Sequence, residues 1–305
     1  MRKKLVLALQ VLISLILLGI ILYSLRLEYL LDVLSRTDPF FFGLGVLAYL
    51  CLNLLNSVKL GMLVRSKMAF KDLFMVNMAG MLASDVTPGR AGYFYTIVLL
   101  KDQIRKANSA AALSIFQLTE LLVKLIGSLA AFLLLVSFFS GTDLPAYFFL
   151  GFGLLTVLAL FLIFVSFSKS ASKLLGWSKK LLPSFVNFQE QAKTKKSVFA
   201  SAFGITLLGW LFRGAEWFFI ANAVGIPLGF FHAILLHPLI TLFAFVPVSI
   251  AGLGLVEFAG ITVISNMQLL PLEKATEMVF AFLILDRGMN LVVDLLGLKR
   301  LVKVR

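Results

Sequence analysis

The sequence predicts an all-α integral membrane protein, on three observations. It is 60% hydrophobic and only 14% charged, apolar runs of spanning length recur from end to end, and basic residues gather in the short connections between those runs. A mean hydropathy of +1.00 leaves too little polar surface to cover a water-soluble globule. Crossing a hydrocarbon core of roughly 30 Å takes about 20 helical residues. Apolar runs of that order fall at 5 to 25, 40 to 64, 72 to 100, 108 to 139, 145 to 167, 198 to 222, 228 to 265 and 275 to 297, which leaves no stretch for an ordinary soluble domain.

The first run follows Met1, Arg2, Lys3 and Lys4 and resembles a signal peptide, but it is too long and no small-residue cleavage site follows, so it reads as a retained anchor. The net charge of +13 fits membrane orientation better than nucleic acid, because the Lys and Arg residues sit between apolar runs rather than on an amphipathic face. Basic clusters at Arg2 to Lys4, Arg65 to Lys71, Lys101 to Lys106, Lys169 to Lys196 and Lys299 to Arg305 place those segments, and both termini, on the cytoplasmic side of the inner membrane. The basic loop from Lys169 to Lys196 reads either as an amphipathic segment on the anionic leaflet or as a solvated orientation signal.

That assignment puts basic clusters on both sides of run 72 to 100, so the run must enter and return. Its centre reads Asp85-Val-Thr-Pro-Gly-Arg-Ala-Gly92, and Pro88, Gly89 and Gly92 break a helix there. Run 228 to 265, with both flanks outside, breaks the same way at Pro247, Gly252 and Gly254. The expected architecture is therefore six full transmembrane helices plus two oppositely oriented re-entrant helical hairpins forming an inverted repeat. It makes one transmembrane domain, 1–305: anchor helix 1–39, repeat one 40–139, connecting helix and basic loop 140–197, repeat two 198–298, basic tail 299–305. Paired broken helices in an inverted repeat point to a transport pathway near the midplane, because irregular backbone survives at that depth only when buried in protein or lining a wet cavity.

Ionisable groups inside spans are costly and mark either pairs or function. Asp85 and Arg90 bracket the first break, and Arg90 reads equally as an anion contact or as the partner of Asp85. Glu257 follows the second break without a charged neighbour in sequence, so it calls for a basic partner in space or a proton. Glu120 with Lys124 and Arg213 with Glu216 stand at helical spacing and read first as pairs that knit the bundle, with Arg213 the best headgroup contact among them. Asp286 and Arg287 precede Asn290 and Asp294; Asp286 is a candidate proton or sodium site, whereas Asp294 is expected to be solvated at the cytoplasmic end. His232 and His237, lacking a third ligand, read as packing residues rather than a metal site. Cys51 is the single cysteine, which excludes an intrachain disulfide and a thiolate zinc site. No catalytic motif, metal or cofactor site is found, so transport would be passive or coupled to a proton or sodium ion.

Thr87-Pro-Gly-Arg-Ala-Gly92 and Pro247-Val-Ser-Ile-Ala-Gly-Leu-Gly-Leu-Val-Glu257, in a membrane protein of this length, resemble the lysylphosphatidylglycerol synthase transmembrane family. That family includes the lipid-flippase half of the multiple peptide resistance factor, and one group is linked to dolichol-phosphate-dependent glycosylation. The matching positions are Pro88, Gly89, Arg90, Gly92, Gly252, Gly254 and Glu257. Tyr93 stands where the family usually has an acidic residue, and Val256 where it usually has Arg, so a headgroup preference carried by those positions does not transfer. The aminoacyl-transferase domain of fused members has no counterpart here, so the resemblance implies translocation without lipid aminoacylation. The expected function is a flippase-like transporter of a phospholipid or polyprenyl-phosphate lipid, with a membrane lipid as substrate and no nucleic-acid partner. The alternatives are a membrane-embedded glycosyl- or aminoacyl-lipid transferase or its partner subunit, and a scaffold acting through the basic loop.

Overall fold

A computed structural model describes residues 2–65, 68–87, 90–100, 106–135, 153, 196–245, 249–267 and 269–302, and every regular element among them is helical. The predicted span 145 to 167 apart from Gly153, nearly all of the basic loop, and the break residues Pro88, Gly89 and Pro247 lie outside the described residues. Helices α1 (Arg2–Ser24) and α2 (Leu27–Ser35) meet at a 90° bend. The connection expected after the first run is thus itself helical. Leu30 and Val33 of α2 are buried, whereas Leu27 and Leu31 are exposed, so an apolar periodicity too short to span gives it two distinct sides.

Asp38 sets the start of α3 (Pro39–Val64). Its carboxylate accepts from the N–H groups of Phe40 at 2.8 Å and Phe41 at 3.3 Å, and Pro39 fills the first turn, where a missing N–H costs nothing. The helix runs 26 residues until Arg65 turns left-handed at φ 49°. With α6 (Lys106–Leu135, spanning over Ala112–Leu135) and α7 (Lys196–Ala223, spanning over Ser197–Ala223), it makes three described helices long and apolar enough to cross a membrane, or four if the bent pair counts as one. Small residues let these helices approach closely. A Cβ on Gly45 of α3 would lie 2.5 Å from Ile220 Cδ1, and one on Gly209 of α7 would lie 2.9 Å from Leu52 Cδ1.

Run 72 to 100 breaks near its predicted centre. Helix α4 (Phe70–Asp85) stops, Arg90 takes a left-handed φ of 57°, and a 3-10 turn Ala91–Tyr95 leads into the single-turn α5 (Thr96–Leu99). Thr87 ties the break together: its hydroxyl donates to Ala83 O at 3.0 Å and accepts from Gly92 N–H at 2.6 Å. The same closeness explains why residue 92 is glycine, since a Cβ there would collide with the Ala83 carbonyl. Gly92→Ala should therefore cost about 1–3 kcal/mol through forced backbone displacement, read as a lower melting temperature in detergent.

The second run breaks likewise. Helix α8 (Phe230–Thr241) passes through a 3-10 turn Leu242–Phe245, and the chain restarts as α9 (Leu255–Asn266) after Ala251, Gly252 and Gly254 adopt φ 46°, 76° and 85°. Glycine is needed at 252 on two grounds, because a Cβ would also lie 2.6 Å from Ala244 Cα. The two breaks touch: Ala251 N–H donates to Thr87 O at 3.2 Å. Helix α10 (Leu272–Asp294) is 23 residues long but carries Glu277, Asp286, Arg287 and Asp294, more charge than a plain lipid-facing span. A 3-10 turn Leu295–Gly297 and α11 (Leu298–Val302) follow, and Arg300 pairs with Asp72 at the start of α4.

Candidate functional site

Where the broken segments meet α3, α6, α7 and α10, the interior turns polar. Two adjoining clefts of about 670 and 640 Å³, measured to their open mouths, share Arg90, Lys124, Arg213 and His237 as a common wall. Asp85, Glu257, Asp286 and Arg287 line one of them; Glu120 lines the other. Glu216 backs the wall through Arg213. Asp85, Arg90, Glu120, Lys124, Arg213, Glu257, Asp286 and Arg287 thus line one continuous polar region.

Their pairing decides several open alternatives. Glu257 has its basic partner: Arg287 Nη2 lies 2.8 Å from Glu257 Oε1, while Glu257 Oε2 accepts the Gly254 N–H at 2.7 Å. Glu257 thereby caps α9 and anchors the second break, and Arg287 also reaches Ala251 O at 3.4 Å. Arg90 Nε donates to Ser84 Oγ at 3.0 Å, and its Nη2 stands 3.5 Å from Asp85 Oδ1. That second contact is long for an ion pair, so the guanidinium retains donors toward the cleft.

Glu120 is matched across helices to Lys59 of α3, and Lys124 Nζ donates to Thr241 Oγ1 of α8 at 2.6 Å. The spacing of Glu120 and Lys124 correctly marks one polar helix face, but the ion pair of Glu120 reaches to another element. Arg213 and Glu216 pair along α7, with Nη1 at 2.9 and 2.8 Å from the two carboxylate oxygens. The Arg213 guanidinium also lies over the Tyr49 ring, 4.6 Å from its centroid.

One expectation is corrected. Asp294 is not solvated at the helix end: it is completely buried, accepts from Tyr49 Oη at 2.9 Å, and lies beside Asp85, because the first break and α3 fold over that end of α10. His237 packs, as expected, but inside the protein: it is buried in the chamber wall, edge-on to Trp217 with ring centroids 5.0 Å apart.

Lys59, Tyr49 and Trp217 escaped the sequence reading. A lysine near the end of an apolar run looks like an interfacial anchor until Glu120 and Thr206 are seen beside it. Tyr93 is buried, donates to Asn77 Oδ1 at 2.8 Å and stacks on Phe116 at 4.8 Å. The Tyr93 hydroxyl is thus tied to the chain's own helices.

Long apolar helices around a charged interior, with two broken helices in contact at its edge, define a multi-pass membrane protein built around a polar site. The chain belongs to the family described as the lysylphosphatidylglycerol synthase TM region, whose model matches residues 7–297. No curated protein matches it by sequence.

Proposed function

We propose that this protein moves a phospholipid or polyprenyl-phosphate lipid between leaflets of the cell membrane, the headgroup passing through the chamber while the acyl or prenyl chains stay in lipid. In this reading the chain is one domain of six spans and two opposed re-entrant hairpins, related by inversion, with both termini cytoplasmic. The contact of Ala251 with Thr87 carries the proposal. It brings two interrupted helices together beside Arg90, Lys124 and Arg213, and a cationic wall at membrane depth has little use without an anion to meet.

Arg90 and Arg213 hold the headgroup phosphate, and Lys124 adds a point charge. Glu257 and Arg287 hold the second break in place. Asp85 and Asp286 face any cationic part of the headgroup. The strain of a left-handed Arg90 and a left-handed Ala251, each costing about 1–3 kcal/mol, is kept where the backbone must present these groups.

Reconstitution into liposomes with fluorescent phosphatidylglycerol, phosphatidylethanolamine and a polyprenyl phosphate tests the proposal by quenching the outer leaflet. At least one lipid should cross faster than in empty vesicles. Rates equal to empty vesicles for all three would remove the transport reading.

A further inference from the structure

The two clefts share a cationic wall but differ in what lies beyond it. The first adds Leu52, Met81, Phe116, Val123 and Trp210, and its polar members Glu120 and Thr206 already have partners in Lys59 and the Ala202 carbonyl. The second adds Asp85, Glu257, Asp286, Arg287 and Asn290. Buried polar atoms without a hydrogen-bond partner are distributed as unevenly. Among the described residues lining the first cleft, His237 on the shared wall has one such atom, Nδ1; the second cleft adds Glu257 Oε1, Asp286 Oδ1 and Asn290 Oδ1.

Glu257 Oε1 is matched in charge by Arg287 Nη2 at 2.8 Å. Asp286 Oδ1 and Asn290 Oδ1 are different: nothing in the protein donates to either, although both are shielded from solvent. Their side chains stand four residues apart on α10 and line the same cleft. Both atoms are acceptors, and a shielded acceptor costs free energy until an O–H or N–H is donated to it. A phosphodiester seated on Arg90, Lys124 and Arg213 would therefore have apolar side chains on one side, suited to its acylglycerol or prenyl end, and acceptors on the other, where its second ester substituent lies.

We propose, resting on the lipid reading above, that the second cleft is the subsite for the headgroup substituent beyond the phosphate, and that it selects substituents carrying O–H or N–H donors. The hydroxyls of a polyol or sugar qualify, as does a primary ammonium. A quaternary ammonium or a simple alkyl ester does not, whatever its charge. Selection works by loss: a substituent without donors displaces water from Asp286 Oδ1 and Asn290 Oδ1 and gives them nothing in return.

Two pairs of short-chain lipids, matched in charge within each pair, test this by titration calorimetry on the full chain in detergent. Phosphatidylglycerol is set against phosphatidylmethanol, and phosphatidylethanolamine against phosphatidylcholine. The donor-bearing member of at least one pair should bind about tenfold tighter or more. A gap in the first pair identifies hydroxyl as the donor, and a gap in the second identifies ammonium. Asn290→Leu should close most of the gap, with binding of phosphatidylmethanol and the melting temperature showing that the variant is folded. Equal affinities within both pairs overturn the subsite while leaving lipid movement, read separately in liposomes, untouched. A gap that vanishes when sodium is replaced by N-methylglucamine overturns it too, since the acceptors then hold a metal ion, as does a folded Asn290→Leu protein that keeps the full gap. No binding of any of the four lipids removes the subsite together with the phosphate wall.

Discussion

Glu120→Gln destabilises the protein by about 3–5 kcal/mol, Lys59→Met costs less, and the two together recover most of the loss. The asymmetry follows from burial. The Lys59 side chain is 0% exposed, whereas Glu120 is 26% exposed at the edge of the cleft. Removing the negative charge leaves a buried ammonium with no counter-charge, only an uncharged amide oxygen, Thr206 Oγ1 at 3.0 Å and the Phe116 ring, centroid at 3.7 Å, beside it. Removing the ammonium leaves a carboxylate that can turn toward the water and cations of the cleft. The double substitution leaves no stranded charge and places a flexible apolar chain of similar length against Phe116. Lys59 of α3, Glu120 of α6 and Thr206 of α7 join at one point, so the pair fixes how three helices sit together. Thermal melts in detergent read the effect. Equal losses for the two single variants would contradict the burial argument, and an additive double variant would show that the pair does not act as a unit.

The breaks and the site were legible to different degrees, for physical reasons. Gly92, Gly252 and Gly254 were legible because glycine inside an apolar run has few uses, and the helices do stop beside them. Arg90, Arg213, Glu257 and Asp286 were legible because charge at membrane depth is costly enough to stand out. Who pairs with whom was not legible. Spacing along one helix finds Arg213 with Glu216, but Lys59 with Glu120 and Arg287 with Glu257 join elements that only tertiary packing brings together. Asp294 was misjudged because a residue at the end of an apolar run looks solvated in sequence, whereas the first break lies over it. The bend between α1 and α2 was missed because Leu25 and Arg26 carry no strong breaker signal; the turn shows itself in the Arg26 N–H, 3.3 Å from Glu277 Oε1 of α10.

Arg213→Gln has the largest expected effect on both stability and transport, and a second substitution separates the two. Glu216 is completely buried and takes both its hydrogen bonds from one Arg213 nitrogen, with the Asp286 carboxyl alongside. Without the guanidinium, two carboxyls face each other with no cation between them, a loss of about 3–5 kcal/mol. Arg213→Lys only partly replaces it, since an ammonium lacks the planar fork and the stacking over Tyr49. Adding Glu216→Gln to Arg213→Gln removes the stranded charge and should return the melting temperature most of the way. Lipid movement in liposomes should stay absent, because no guanidinium remains on that side of the chamber to receive a phosphate. A double variant that recovers transport along with stability would reduce Arg213 to a structural partner and leave Arg90 and Lys124 to receive the anion.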